Sequence, residues 1–100
     1  MRESAIENYL VGRVKALGGE VRKVQWIGRR GAPDRLVMLP QIVSPLTDWV
    51  SNTPSIWVEL KAPGEKAKPH QKREHDRMTA MGQRVVVIDS IEGVDALLAT

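Results

Sequence analysis

The sequence predicts an α/β fold, one mixed sheet of about four strands flanked by helices in the order αβββαβα, and three observations carry that prediction. Helical periodicity recurs near the start, again after residue 69, and at the end of the chain. Between those stretches lie short apolar runs of strand length, rich in Val, Ile, Leu and Trp. Glycine or proline closes nearly every run, so the elements are brief and separate. With 100 residues the chain reads as one domain spanning residues 1–100, large enough for a modest core.

Over residues 3–17, Ile6, Leu10, Val14 and Leu17 fall on one helical stripe, and Gly18-Gly19 supplies the stop. Glu3 and Glu7 lie on or beside that stripe, where a carboxylate needs a reason. Glu3 either favours the positive end of the helix dipole or faces a site; Glu7 either reaches solvent at the stripe's edge or faces a metal site. Residues 20–27 alternate loosely and read as a strand. Gly28-Arg29-Arg30-Gly31 is then a loop, either simply solvated or using the planar forks of Arg29 and Arg30 to grip phosphate oxygens.

Pro33 favours an extended approach, and residues 35–39 form a short, mostly buried strand headed by Asp34. Residues 40–55 change character: Pro40, Pro45 and Pro54 punctuate an irregular insertion in which residues 47–50 suit at most one helical turn. Its Ile42, Val43, Leu46, Trp49 and Val50 are apolar, so it folds back on the sheet or meets another subunit. Residues 56–61 form the central strand, ended by Ala62-Pro63-Gly64. Pro69 opens a second helix with Gln71, His75 and Met78 on one face and Glu74 and Met81 close by. Residues 84–88 are a strand of the buried type. Ser90 caps a short last helix whose Val94, Leu97 and Leu98 face inward.

Alternation along a strand puts Glu59 and Lys61 on one face, with Val58 and Leu60 on the other. Asp34 and Glu59 together supply the oxygen donors that a hard divalent cation takes. Lys61 then either holds or polarises the attacking water or is a solvated amine paired with Glu59 on the same face. His70 and His75 share no short motif with a third ligand, so they are not read as metal ligands, although His70 is able to touch phosphate.

Composition narrows the partners. The absence of cysteine excludes a disulfide framework and Cys-based zinc sites and fits a reducing cytoplasm. No apolar run approaches the ~20 residues that span a bilayer, and the N-terminus is no signal peptide. No membrane association is therefore expected. A net charge of +3 and a pI near 9.6 suit an acidic partner. Three Trp and one Tyr are too few for a single-strand binder built on base stacking.

Pro33-Asp34 followed by Glu59-Leu60-Lys61 resembles the PD-(D/E)xK nuclease core. The Gly31-Ala32-Pro33-Asp34-Arg35 turn, the Val58-to-Gly64 strand end, Gln71 and the closing Val87-Ile88-Asp89-Ser90 narrow the resemblance to the VRR-NUC family, the virus-type replication-repair nucleases. That resemblance spans nearly the whole chain; the segment between Asp34 and Glu59 is longer than a tight hairpin needs. It implies a restriction-endonuclease-like core and hydrolysis of DNA phosphodiesters with Mg²⁺ or Mn²⁺, without a small-molecule cofactor. Catalytic residues would be Asp34, Glu59, Lys61, Gln71 and Glu7; the metal would be held by Asp34, Glu59, the Leu60 carbonyl and Glu7. A basic surface of Arg29, Arg30, Lys66, Lys68, His70, Lys72 and Arg73 would meet DNA. Stand-alone relatives of phage or bacterial type are similar to junction-resolving enzymes acting as homodimers in repair, in the cytoplasm of a bacterium or an infected host. A flap or duplex endonuclease, a non-catalytic DNA-binding module and RNA cleavage stay open as alternatives.

Overall fold

The computed structural model describes residues 1–43, 50–51 and 55–99. Helix α1 (Glu3–Ala16) is followed by β1 (Glu20–Lys23), β2 (Arg35–Met38), β3 (Ile42–Val43), β4 (Val50–Ser51), β5 (Ile56–Leu60), α2 (Pro69–Ala80), β6 (Arg84–Ile88) and α3 (Ile91–Leu98). Among these, β1-β2-β5-β6 form one sheet, antiparallel except for the β5–β6 pair, which α2 connects in parallel. The α/β prediction and the αβββαβα order of the main layers hold.

Two helices cover one face. Ile6, Leu10 and Val14, spaced four apart on α1, are fully buried against Val37, Ile56, Val58, Leu60, Ile88, Val94 and Leu98. Glycine is required where α1 turns into β1, because a side chain on Gly19 would meet the Met38 carbonyl oxygen at 2.3 Å. Tyr9 donates to Asp95 at 2.6 Å, and Arg13 pairs with the same carboxylate, tying α1 to α3. Ser90 caps α3 as expected, its Oγ accepting from the Gly93 N–H at 2.9 Å.

The opposite face belongs to α2. Trp57, Glu59 and Lys61 alternate with the core residues of β5, so they look away from α1. Met78 and His75 of α2 are buried on that second side.

Three expectations need adjustment. The first strand ends at Lys23 instead of residue 27, although the Val24 N–H still bonds the Asp34 carbonyl at 2.9 Å. Inside the 40–55 insertion, Ile42–Val43 and Val50–Ser51 pair antiparallel, so part of it is regular and Val50 is in a strand. The rest of the suggested helical turn, residues 47–49, lies outside the described residues. Strand β6 is less buried than its apolar run suggests, with Val87 41% exposed, because it forms an edge of the sheet.

Candidate functional site

Strand pairing assembles the proposed acidic site. Arg35 stands opposite Val58 and Leu36 opposite Trp57, so continuing the register by one residue sets Asp34 beside Glu59, on the α2 side of the sheet. The side chains of Glu59 and Lys61 are both buried, each residue only 9% exposed. The Lys61 N–H extends the ladder to the Ile88 carbonyl at 2.9 Å and so fixes the strand's end. Leu60 points into the core at 3% exposure, which leaves only its carbonyl to face a ligand.

Burial pushes the Glu59 carboxyl up to about 7; Lys61 and Arg35 pull it down, while Asp34 and Glu3 raise it by like-charge repulsion. Asp34, Glu3, Lys61 and Glu59 therefore share one electrostatic neighbourhood. An open cleft of about 620 Å³, lined by Lys23, Trp26, Asp34 and Arg35 among others, lies beside it.

The Asp34 loop is held by neighbours that the sequence did not single out. Trp26 donates its indole N–H to the Pro33 carbonyl at 2.7 Å and packs against Trp57 with ring centroids 5.1 Å apart. Trp57 in turn donates its indole N–H to the Gln83 side chain at 3.0 Å. Gly31 has φ +85°, and a side chain there would come within 2.8 Å of the His70 carbonyl oxygen. The Asp34 loop thus lies directly on the start of α2.

Several of the expected site residues have partners within the protein. Glu7 accepts from Arg35 Nε at 2.8 Å and also from Arg35 Nη2, with Lys23 3.9 Å away. Arg35 reaches in turn to Asp34 Oδ1 at 3.0 Å. Glu7 therefore anchors the arginine that braces Asp34; the α1 carboxylate that acts on Glu59 is Glu3. The register explains this: Arg35 opposes Val58, whose side chain faces α1.

Gln71 accepts a hydrogen bond from the Lys68 N–H at 2.8 Å through its Oε1, closing the first turn of α2. Only its amide nitrogen is left to face a site. Arg29 makes a two-pronged pair with buried Glu74 at 2.9 and 2.6 Å. Its hydrogen bonds hold the Glu74 carboxyl down to about 2 against the cost of burial, and Arg77 assists at 2.8 Å. Arg29 thus fastens the loop to α2.

Arg30, Lys68, Arg73 and Lys61 surround His70, whose imidazole is lowered first by burial and then by those cations. A concentration of positive charge at the start of α2 results. Lys66 is exposed, and Lys72 lies 3.9 Å from Asp76 on the outer side of the helix.

His75 is the residue that spacing alone undervalued. It is 7% exposed, its Nε2 is 3.8 Å from Glu59 Oε1, and that nitrogen has no hydrogen-bond partner. Burial lowers its pKa, opposed by a hydrogen bond to the Gly31 backbone. The signal was present as the shared face of Gln71, His75 and Met78, but only packing reveals that this face meets Glu59. Among the described residues no group of three or more His, Cys, Asp or Glu side chains is placed to hold a metal ion.

No family model matches the chain. It is 48% identical over 90 residues, 90% of its own length and 85% of the relative's, to a protein named "Putative nuclease p44" from Acyrthosiphon pisum secondary endosymbiont phage 1. A solved structure described as a VRR_NUC domain aligns over 97% of this chain and 94% of that one, at TM-score 0.75 and 39% identity. An acidic pair on neighbouring strands, a lysine two residues beyond the glutamate, a shared mixed-sheet fold and two relatives of this similarity lead to one conclusion: the chain belongs to the VRR-NUC family of nucleases.

Proposed function

We propose that the protein is a divalent-metal-dependent endodeoxyribonuclease, a homodimer that nicks four-way or other branched DNA. The observation that carries the reading is the burial of Glu59 and Lys61 on one face of β5, beside Asp34, with a cationic surface at the adjoining end of α2.

The donor set fits Mg²⁺ or Mn²⁺. Two carboxylates in one another's field, one of them buried, favour a positive counter-charge between them, and oxygen donors suit hard cations that retain water. Asp34 and Glu59 would hold the ion together with the Leu60 carbonyl, and Glu3 would add negative charge from α1. A bound cation lowers the pKa of water and offsets charge developing on the phosphate.

The remaining work belongs to the chain. Lys61, fixed by the β5–β6 ladder, orients the water nucleophile and meets the phosphate's growing charge. Arg35, braced by Glu7, keeps Asp34 in place. Arg30, Lys68, His70 and Arg73 grip the DNA backbone, with Lys66 and Lys72 at the margin, and the amide nitrogen of Gln71 is free to orient water or phosphate. A symmetric pair of such sites would suit a junction in which two strands are nicked.

The test is cleavage of labelled four-way junctions, flaps, linear duplex and RNA by purified protein with Mg²⁺ or Mn²⁺. Selective junction nicking is expected. Equal rates on linear duplex would replace junction selectivity by general endonuclease activity, and binding without cleavage would leave a DNA-binding module. Glu59→Ala and Lys61→Ala should each reduce turnover by about a hundredfold or more, the order seen when a preorganised electrostatic group is removed, with DNA binding largely kept. Unchanged turnover in both variants would reject the assignment.

A further inference from the structure

We propose that His75 supplies a nitrogen ligand to the cation held at Glu59, making the site selective for Mn²⁺ over Mg²⁺. This rests on the metal-dependent reading above but adds a donor from α2 that neither the Asp34 turn nor the Glu59-Leu60-Lys61 motif contains.

The orientation of the ring carries the inference. His75 is more than nine-tenths buried, and only Nε2 lacks a partner. The Gly31 backbone bond favours the protonated ring, so the ring donates there, to a carbonyl, and does so through Nδ1. A neutral imidazole giving Nδ1–H to a carbonyl turns the lone pair of Nε2 outward. Here Nε2 lies 3.8 Å from Glu59 Oε1, two potential donor atoms close together and largely away from solvent. A positive centre between them, a proton or a metal ion, relieves that arrangement.

A divalent ion fits the gap. With each donor ~2.1 Å from a cation, the two donors lie ~3.0 Å apart at a right angle and ~4.2 Å apart when opposed. The observed separation falls between those limits. Metal-bound histidines characteristically give their other ring N–H to a carbonyl or carboxylate, which fixes tautomer and orientation. Gly31 does this for His75, and the same loop continues into Asp34. One loop therefore orients the nitrogen donor and carries Asp34, whose charge acts on Glu59.

Imidazole favours transition metals, whereas Mg²⁺ prefers an all-oxygen shell. Calorimetric titration of the full chain with MnCl₂ and with MgCl₂ should give Mn²⁺ binding at least about tenfold tighter. In His75→Gln, which is close in volume, Mn²⁺ affinity should fall by about ten- to a hundredfold, with Mg²⁺ affinity changed much less. Pulsed electron paramagnetic resonance of Mn²⁺-loaded wild-type protein should display coupling to a ¹⁴N nucleus. This needs no variant, so a misfolded His75→Gln does not obscure the answer. Mn²⁺ binding without nitrogen coupling, or equal loss of Mn²⁺ and Mg²⁺ affinity in the variant, overturns the His75 assignment while leaving the metal-dependent reading intact. Failure of the wild-type chain to bind either ion overturns both.

Discussion

Glu59 and Glu74 are buried carboxylates driven in opposite directions by what surrounds them. Glu74, clasped by Arg29 and Arg77, is held down to about 2; Glu59, desolvated and facing other carboxylates, is raised to about 7. A folded-state carboxyl below its ordinary 4.5 contributes stability that is present above 4.5 and lost as pH falls through about 2. A raised one acts the other way: its contribution is present below 4.5 and lost as pH rises through about 7. For the metal-free protein these two groups therefore predict greatest stability near pH 4.5–5, declining toward neutrality by up to about 3 kcal/mol from Glu59. Denaturant melts from pH 3 to 8 would measure this, and Glu59→Gln should flatten the decline above pH 5 without altering the acid limb. Because a cation competes with the proton at Glu59, metal affinity should rise as pH passes through about 7; constant affinity from pH 6 to 8 would contradict the assignment.

Between β1 and β2, the loop carrying Arg29, Arg30, Gly31 and Asp34 divides its labour. Arg29 and Gly31 fasten it to α2, Trp26 secures it through the Pro33 carbonyl, and Arg30 lies among the cations around His70. Two adjacent arginines should therefore respond differently to truncation. Arg29→Ala leaves Glu74 with Arg77 alone and should lower the thermal midpoint more than Arg30→Ala does. Arg30→Ala should weaken DNA binding and reduce the salt slope by about one, the loss of a single phosphate contact. Melting curves and binding isotherms between 50 and 200 mM salt distinguish them; a reversal of the two effects would transfer the phosphate role to Arg29. For α1 the division is similar, with Glu7 bracing Arg35 and Glu3 acting on Glu59.

Taken whole, the molecule places its oily core between α1, α3 and one side of the sheet, and its buried polar residues Glu59, Lys61, Glu74 and His75 on the other side with α2. The polar side of the sheet therefore admits buried charge without breaching the main core. A chain of this size has limited surface for recognising branched DNA alone, which supports the dimer proposal. Light scattering after size exclusion should give about twice the 11.2 kDa chain mass if the dimer forms; a monomer that still resolves junctions would remove dimerisation from the mechanism.

Local sequence was enough for much of this. Periodicity and breakers marked α1, α3 and the strands; the two-residue repeat put Glu59 and Lys61 together; and the Pro33-Asp34 and Glu59-to-Lys61 patterns indicated the family. These depend on backbone geometry between near neighbours, which the order of residues encodes directly. Tertiary structure decided what followed from distant partners meeting: Arg35 claims Glu7, Glu74 claims Arg29, the α2 backbone claims the carbonyl of Gln71, and His75 faces Glu59. Each outcome depends on which side chain another element presents across the sheet or loop, and a linear pattern carries no distance between elements separated by tens of residues.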